Sequence, residues 1–458
     1  MRGVWAREYE PRWRNRQPSA ISDQFLPVAQ TFRSAVFSMP EKRWLRIIPV
    51  AFIMYTIAFV DRTNISLALQ PIIHDLHISS TQAGRAAGVF FWGYLLLQIP
   101  GGYLAHRWSA KRFVSVLLVI WGLCSAATGL VGTWRQFWVM RLLLGVAEGG
   151  VWPATLVLLS SWFPRAERAR ANAYWMLCLP VAVVFSSPLS GWMLGRWNWR
   201  ILLISEGALP FLWLVVWWYC ISDHPHQARW ISAEELDDLE STLRRESTEL
   251  QPVSSESYLR ALLRPHVLLL VGIYFLDTSG NYGYLFWLPS ALENAKKMSK
   301  VQVGFLFAVP YIVTAIGMVL ISRHSDRTRE RRAHVAFALA WGGVLLLASV
   351  LASGHAPTLS FSLIALVGAG SYGVLGPFWA IPTETLPRSV AGSAMGLINA
   401  LGNLGGYLGP LAVGYLNQRS GNFLFAFGAL SAGFLTASAL SLLLAPHRDE
   451  NVKAIGFK

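Results

Sequence analysis

Stretches of about 20 apolar residues, each long enough to cross the roughly 30 Å hydrocarbon core of a bilayer as a helix, recur along this chain. Of its 458 residues, 54% are hydrophobic and 14% are charged, which is too apolar for a soluble protein. The sequence therefore predicts an all-α integral membrane protein. We place 12 transmembrane helices at residues 45–69, 83–104, 112–132, 137–160, 171–194, 200–220, 266–289, 302–322, 333–352, 359–381, 391–415 and 423–444.

The formal net charge of +14 could suggest nucleic acid as a partner, but the distribution of the basic residues argues against it. Lys and Arg collect in alternate loops, namely the N-terminal arm, Arg107–Arg112, 165–170, 221–265 and 323–332. Such an excess marks the cytoplasmic loops of membrane proteins. We therefore expect a multi-pass protein of a bacterial-type inner membrane, with the lipid bilayer around it and both termini in the cytoplasm.

The chain repeats itself after six predicted spans. The loop GGYLAHRWSAKR at 101–112 aligns with ISRHSDRTRERR at 321–332, an offset of 220 residues. A second pair, FPRAERARANA at 163–173 and LPRSVAGSAMG at 386–396, is offset by 223 residues. Two parallel six-helix halves place a binding site near mid-membrane, at the interface between the halves.

The same repeat sets the expected domain organisation. Six helices within 45–220 form the first half, and six within 266–444 form the second. The polar region 221–265 is the linker between them. A cytoplasmic arm at 1–44 and a cytoplasmic tail at 445–458 complete the prediction.

The first repeated loop resembles the signature G-x-x-x-D-R-x-G-x-K-R of the major facilitator superfamily. Gly102, Arg107 and Lys111-Arg112 match it, whereas His106 and Ser109 replace the usual Asp and Gly. Further segments are similar to the anion:cation symporter family within that superfamily: FVDRTNIS, RLLLGVAEGGVWPA, DHPHQARWIS, YGYLFWLPS, FWAIPTETLP and INALGNLGGYLGP. The resemblance implies the major facilitator fold and the import of an organic anion together with protons.

Charged residues inside the predicted spans are the strongest indication of a functional site. Arg62 follows Asp61 in an apolar run, and a charge at the bilayer centre costs roughly 2.5–3.5 kcal/mol on insertion scales. A guanidinium group binds a carboxylate through paired hydrogen bonds and keeps its charge when desolvated. The resemblance implies the same role, so Arg62 is the expected anchor of a substrate carboxylate. Alternatively, Arg62 only neutralises Asp61 or Glu148.

Asp61 and Glu148 are the expected proton carriers, because burial in apolar surroundings disfavours a charged carboxylate. Arg141 precedes Glu148 by seven residues, which places both on one helix face about 10 Å apart. Protonation of Glu148 would release Arg141 or Arg62 and so couple a proton to an anion. The alternative is a static ion pair that packs helices together.

Charged loop residues form a second set. We expect Arg107, Arg112, Asp326 and Arg327 at the cytoplasmic ends of spans. Ion pairs of these residues with Glu167 or Glu384 could hold a cytoplasmic gate closed. The same charges also serve as topology signals.

Aromatic and amide side chains on the second half are candidates for the remaining wall of the site. Tyr282, Trp379 and Asn399 are expected to contact substrate, as is Tyr94 by resemblance. Packing against other helices or lipid is the alternative for each of them. Asp277 has no counterpart in the resembled family and receives no role.

No nucleophile–base arrangement, metal-ligand cluster or phosphate loop occurs in the sequence, so neither an enzyme, a metal site nor a cofactor is expected. The sequence favours a monomeric importer of a small organic anion with protons. An efflux antiporter of the same fold is the main alternative, and a receptor that binds without transporting is a weaker one. Leu179, where the sugar-acid branch of the resembled family tends to have Gln, favours an aromatic or short carboxylate over a hexonate.

Overall fold

The computed structural model describes residues 42–248, 263–296, 298–386 and 388–444. The first part of the chain forms the helices α1 (Lys42–Asp75), α2 (Ser80–Arg107), α3 (Ala110–Thr128), α4 (Trp134–Gly149), α5 (Val151–Trp162), α6 (Arg165–Met176), α7 (Cys178–Arg196) and α8 (Trp199–Cys220). A short 3-10 turn at Pro225–Gln227 and helix α9 (Ala233–Thr248) follow. The second part forms α10 (Pro265–Lys296), α11 (Lys300–Thr328), α12 (Arg332–Ala352), α13 (Pro357–Ser371), α14 (Leu375–Thr385), α15 (Arg388–Gly402), α16 (Gly405–Ser420) and α17 (Leu424–Ser441).

The helices account for all 12 predicted spans. Nine helical segments of the described chain are long and apolar enough to cross a membrane. Helices α2 and α10 and the α15–α16 pair complete the set. Two of these three segments are less apolar because they carry polar side chains of the cavity described below, Asp277, Asn281, Asn399 and Asn403. The predicted arm 1–44, except for Lys42–Trp44 in α1, and the tail 445–458 lie outside the described residues.

Four of the spans are interrupted, which the apolar runs did not predict. The breaks separate α4 from α5, α6 from α7, α13 from α14 and α15 from α16. These are spans four, five, ten and eleven, so each break recurs six spans later. The backbone at the breaks keeps right-handed helical dihedral angles, as at Gly150 (φ −82°, ψ −15°) and Leu177 (φ −61°, ψ −15°), so each break is a local irregularity of the helix. The helix breaks therefore follow the same six-span repeat as the loop sequences.

The two sets of six spans meet mainly along three helix pairs. Helix α2 packs on α16, α7 packs on α11, and α1 packs on α10. In span numbers these pairs are 2 with 11, 5 with 8, and 1 with 7. If each span is replaced by its counterpart in the other half, the first two pairs are exchanged and the third stays the same. This is the contact pattern of two parallel repeats related by an axis along the membrane normal.

Close contacts between the halves concentrate at one end of the bundle, which we call the Ser80 end after the first residue of α2. A Cβ atom added at Gly84 would lie 2.5 Å from the Pro410 carbonyl oxygen. One added at Gly304 would lie 2.5 Å from the Ser187 carbonyl oxygen. Small residues let helix backbones approach each other closely in membranes. The halves are therefore held together tightly at the Ser80 end.

Candidate functional site

A cavity lies between the two halves near the middle of the spans. The first half contributes Tyr55, Phe59, Arg62, Tyr94, Trp152, Met176 and Leu179, and the second contributes Tyr274, Asp277, Thr278, Asn281, Tyr282, Tyr372, Leu375, Trp379, Asn399 and Asn403. The structure thus brings the five expected substrate-contacting residues to one cavity. Its mixture of aromatic rings and a few polar groups is typical of small-molecule sites.

The centre of the site is an ion pair between helices α1 and α4. Arg62 Nη2 lies 3.0 Å from Glu148 Oε2, and Arg62 Nε donates to the same oxygen at 3.3 Å. Glu148 is only 1% exposed, and its Oε1 has no hydrogen-bond partner among the described residues. An added Cβ at Gly149 would lie 2.3 Å from the Tyr94 carbonyl oxygen, so α4 packs directly against the α2 backbone here. This close packing holds the Glu148 carboxylate in the interior.

Arg62 also reaches the other half of the protein. Its Nη1 donates to the Tyr282 hydroxyl at 3.4 Å. Its guanidinium carbon lies 4.8 Å from the Tyr94 ring centre and 4.9 Å from that of Phe90. Cation–π contacts of this kind stabilise a desolvated guanidinium. Arg62 is therefore positioned between the Glu148 carboxylate and a polar group of the opposite half.

Asp61 does not pair with Arg62, although the two are neighbours in sequence. Its carboxylate accepts hydrogen bonds from the Trp121 indole and from Ser125 Oγ at 2.7 Å, both on α3. Consecutive residues project about 100° apart around a helix, so they face different neighbours. The possibility that Arg62 neutralises Asp61 is therefore wrong, and its partner is Glu148.

Arg141 is buried without a direct partner for most of its donors. It is 1% exposed, and its Nε and Nη2 have no hydrogen-bond acceptor within the described ranges. Its guanidinium carbon lies 5.1 Å from the centre of the Phe90 ring, which Arg62 also contacts. Two guanidinium groups thus share one aromatic ring, and Arg141 keeps donors that another group could use.

Glu206 on α8 is a buried acid that the family resemblance does not indicate. It is 5% exposed and accepts a hydrogen bond from the Asn64 amide. An acid within an apolar run is the same signal that marks Asp61, so the sequence did contain the clue. Glu206 joins Asp61 on the side of α1 that faces away from the Tyr282 contact.

The second half supplies an amide chain and aromatic rings. Asn399 donates to Gln98 Oε1 of α2 at 3.0 Å, and Asn403 donates to Asn399 Oδ1 at 2.9 Å. Trp379 makes an edge contact with Tyr274 at 5.2 Å between ring centres. Asn399 therefore joins the halves as well as lining the cavity.

The charged loop residues pair differently from the expectation. Arg331 Nη1 lies 2.6 Å from Asp326 Oδ1, and its Nη2 lies 2.9 Å from Glu384 Oε1. Glu384 is thus bound by Arg331 and not by Arg327, which is exposed. The reason is that α11 ends at Thr328 and Arg331 sits at the start of α12, where the turn directs it at both carboxylates.

The corresponding acid of the first half also has another partner. Glu167 lies 3.2 Å from Arg43 at the start of α1. Arg107 contacts the Tyr103 ring at 5.7 Å, and Arg112 is exposed. Both loop networks join helices of one half, so neither pairing crosses between the halves.

Twelve helical spans in two repeated halves, with a cavity between the halves, are the architecture of known secondary transporters. The chain belongs to the Major Facilitator Superfamily, whose sequence model matches residues 51–410. Members of this family are transporters, and residues 51–410 include the whole cavity.

Two relatives span nearly the same length. A protein of Agrobacterium vitis named "Putative tartrate transporter" is 34% identical over 409 residues, covering 87% of this chain and 90% of its own. The "Quinolone resistance transporter" of Acinetobacter baumannii is 31% identical over 412 residues, covering 87% of this chain and 93% of its own.

A solved structure supports the fold. A bacterial homolog of the human lysosomal transporter Spinster, captured inward-facing and occupied, superposes with a TM-score of 0.71. It is 17% identical, and the match covers 89% of this chain and 97% of the other. The expected fold, 12 transmembrane helices in two halves, is confirmed.

Proposed function

We propose that this protein imports a small organic carboxylate together with protons across a bacterial-type inner membrane. The observation that carries the proposal is the buried Arg62–Glu148 pair, whose Arg62 lines the cavity and reaches Tyr282 of the opposite half. A guanidinium group held in this way is suited to a carboxylate ligand. The tartrate name of the Agrobacterium vitis relative points to the same chemistry.

Coupling would follow from competition for Arg62. While Glu148 is ionised, its carboxylate occupies two donors of the Arg62 guanidinium. A proton on Glu148 removes the charge that binds those donors, and a substrate carboxylate can then take them. Substrate and proton would enter the site together for this reason. Asp61 is the second candidate carrier, and Arg141 keeps donors without an acceptor among the described residues.

Alternating access would be a rocking of residues 45–220 against 266–444 about the cavity. With basic loops in the cytoplasm, the Ser80 end faces the outside. The tight contacts at Gly84 and Gly304 then correspond to a state that is closed to the outside. The networks around Arg331 and Arg43 would stiffen each half at its cytoplasmic end during the movement.

Gly304→Val should disfavour closure at the Ser80 end, because a side chain there meets the α7 backbone at 2.5 Å. Cysteines introduced at Thr81 and Gln418, neighbours across the halves in this structure, should cross-link less in the variant, in a background with the native cysteines replaced. Gly428→Val is the control, because a Cβ there meets nothing within 4 Å. Equal cross-linking in both variants would show that the contact between α7 and α11 at Gly304 does not control closure.

The cavity wall at Leu179 leads to a prediction about substrate preference. Leu179 lines the cavity and offers no hydrogen bond to a sugar hydroxyl, and leaving a buried hydroxyl unpaired costs about 1–3 kcal/mol. Aromatic or short-chain carboxylates should therefore displace bound substrate better than gluconate or galactonate. Leu179→Gln should narrow that difference in the same competition assay. If the wild-type protein prefers hexonates, this interpretation of Leu179 is wrong.

Efflux by proton antiport is the second candidate, and Asp277 is the observation that favours it. This acid lines the same cavity and would attract cationic compounds, and one relative is named for quinolone resistance. Cells that express the chain should accumulate radiolabelled tartrate or benzoate under the proposed import function. Under the alternative, they should instead lose a preloaded cationic drug faster than control cells.

A further inference from the structure

Asp277 on α10 is a buried acid without a cation. It is 2% exposed and lines the cavity. Its Oδ1 accepts a hydrogen bond from Asn281 at 3.0 Å, whereas its Oδ2 has no partner among the described residues. Within that part of the chain no Lys, Arg or His forms an ion pair with it. Buried charges in proteins are normally paired, so Asp277 can be ionised in this cavity only with a cation that a bound molecule supplies.

Aromatic rings surround the same part of the cavity. Tyr274, Tyr372 and Trp379 line it together with Asp277. The rings of Tyr274 and Trp379 meet edge to face at 5.2 Å. A carboxylate beside several aromatic rings is an environment that binds organic ammonium groups, through the charge and through cation–π attraction. This wall therefore has the opposite character to the wall around Arg62.

Both walls include residues of one helix. Tyr282 contacts Arg62, and Asp277 precedes Tyr282 by five residues on α10. Five residues rise about 7.5 Å along the helix axis and turn by about 140°, so the two side chains project from α10 at different heights and in different directions. Arg62 is paired with Glu148 of its own half, so it does not neutralise Asp277. A ligand that fills the cavity thus meets a cation at one end and a carboxyl group at the other.

We infer that the substrate is a zwitterion, an organic carboxylate that carries an ammonium group or other basic nitrogen at the opposite end of the molecule. Arg62 binds the carboxylate, and Asp277 binds the nitrogen between the aromatic rings. This inference rests on the proposed function, because it takes Arg62 as the carboxylate anchor. It adds a second recognition element on the opposite half, which links both halves through one ligand.

Two compounds of nearly equal shape test the inference. In 4-(aminomethyl)benzoate an ammonium group ends the side arm, and in 4-ethylbenzoate a methyl group replaces it. Binding to the purified full-length protein is measured by calorimetry. The wild type should bind the ammonium compound more tightly. Asp277→Asn should reduce that preference about 10-fold or more, since truncating a buried charge pair weakens binding strongly, while 4-ethylbenzoate binds as before.

Glu293→Gln provides the matched control, because it makes the same change of acid to amide on α10 but at a residue that pairs with Lys300 outside the cavity. It should leave the preference unchanged. Equal or tighter wild-type binding of 4-ethylbenzoate, or a preference that survives Asp277→Asn, overturns the inference while leaving Arg62 as the anchor. If Arg62→Lys binds both compounds as tightly as the wild type does, the proposed function is refuted instead. Unfolding temperatures of the variants show whether each still folds.

Discussion

Arg62→Lys is expected to abolish most carboxylate uptake although it conserves the positive charge. The Arg62 guanidinium holds Glu148 through Nε and Nη2 and reaches Tyr282 through Nη1, so three donors point in fixed directions. An ammonium group is a compact charge that cannot reproduce this planar arrangement. Losing one or more hydrogen bonds to a charged group costs about 1.5–3 kcal/mol, so substrate affinity should fall about 10-fold to 100-fold.

The measurement is substrate affinity from competition binding, together with initial uptake rates in cells. Arg327→Lys is a suitable control because Arg327 is exposed in the last turn of α11 and lies outside the cavity. It should bind and transport like the wild type. Near-normal substrate affinity in Arg62→Lys would remove the anchor role and leave Arg62 as a packing residue.

Glu148→Gln is expected to separate exchange from accumulation. Its amide oxygen can still accept hydrogen bonds from Arg62, so the cavity keeps its shape and the substrate carboxylate no longer competes with a charge. The amide cannot take up or release a proton. The variant should therefore exchange labelled for unlabelled substrate across the membrane, while accumulation driven by a pH gradient falls to the level of empty membranes.

Reconstituted vesicles allow both modes to be measured on the same protein. Glu293→Gln again serves as the control, because its side chain pairs with Lys300 away from the cavity. If Glu148→Gln still concentrates substrate against its gradient, the proton is carried elsewhere. The test would then move to Asp61, which Trp121 and Ser125 bind on α3.

The fold was largely predictable because its determinants are local in the sequence. A run of apolar residues shows how many spans exist, and the repeated loops show that they form two halves. The interruptions in four spans were not predictable from hydropathy, since it registers composition and not the hydrogen bonding of the backbone.

The charged part of the site was predictable because its residue types are costly at membrane depth. Arg62 and Glu148 stand out for that reason. Their pairing was left open, because helix geometry turns Asp61 toward α3 and this is a tertiary property. Part of the aromatic lining was not predicted, since Tyr274 and Tyr372 are two of 14 tyrosines in an aromatic-rich chain. Likewise, Arg331 replaces Arg327 as the partner of Glu384 because of where α11 ends.

Proton movement measured during substrate addition tests the central claim most directly. The purified protein is reconstituted into vesicles that contain a pH-sensitive dye, and tartrate, benzoate or 4-(aminomethyl)benzoate is added outside. Symport predicts that at least one of these acidifies the interior faster than in vesicles without protein, which correct for passive diffusion of uncharged acid, and that Glu148→Gln abolishes the difference. If no carboxylate acidifies the vesicles and a cationic drug makes their interior alkaline, the protein is an antiporter and the account is contradicted.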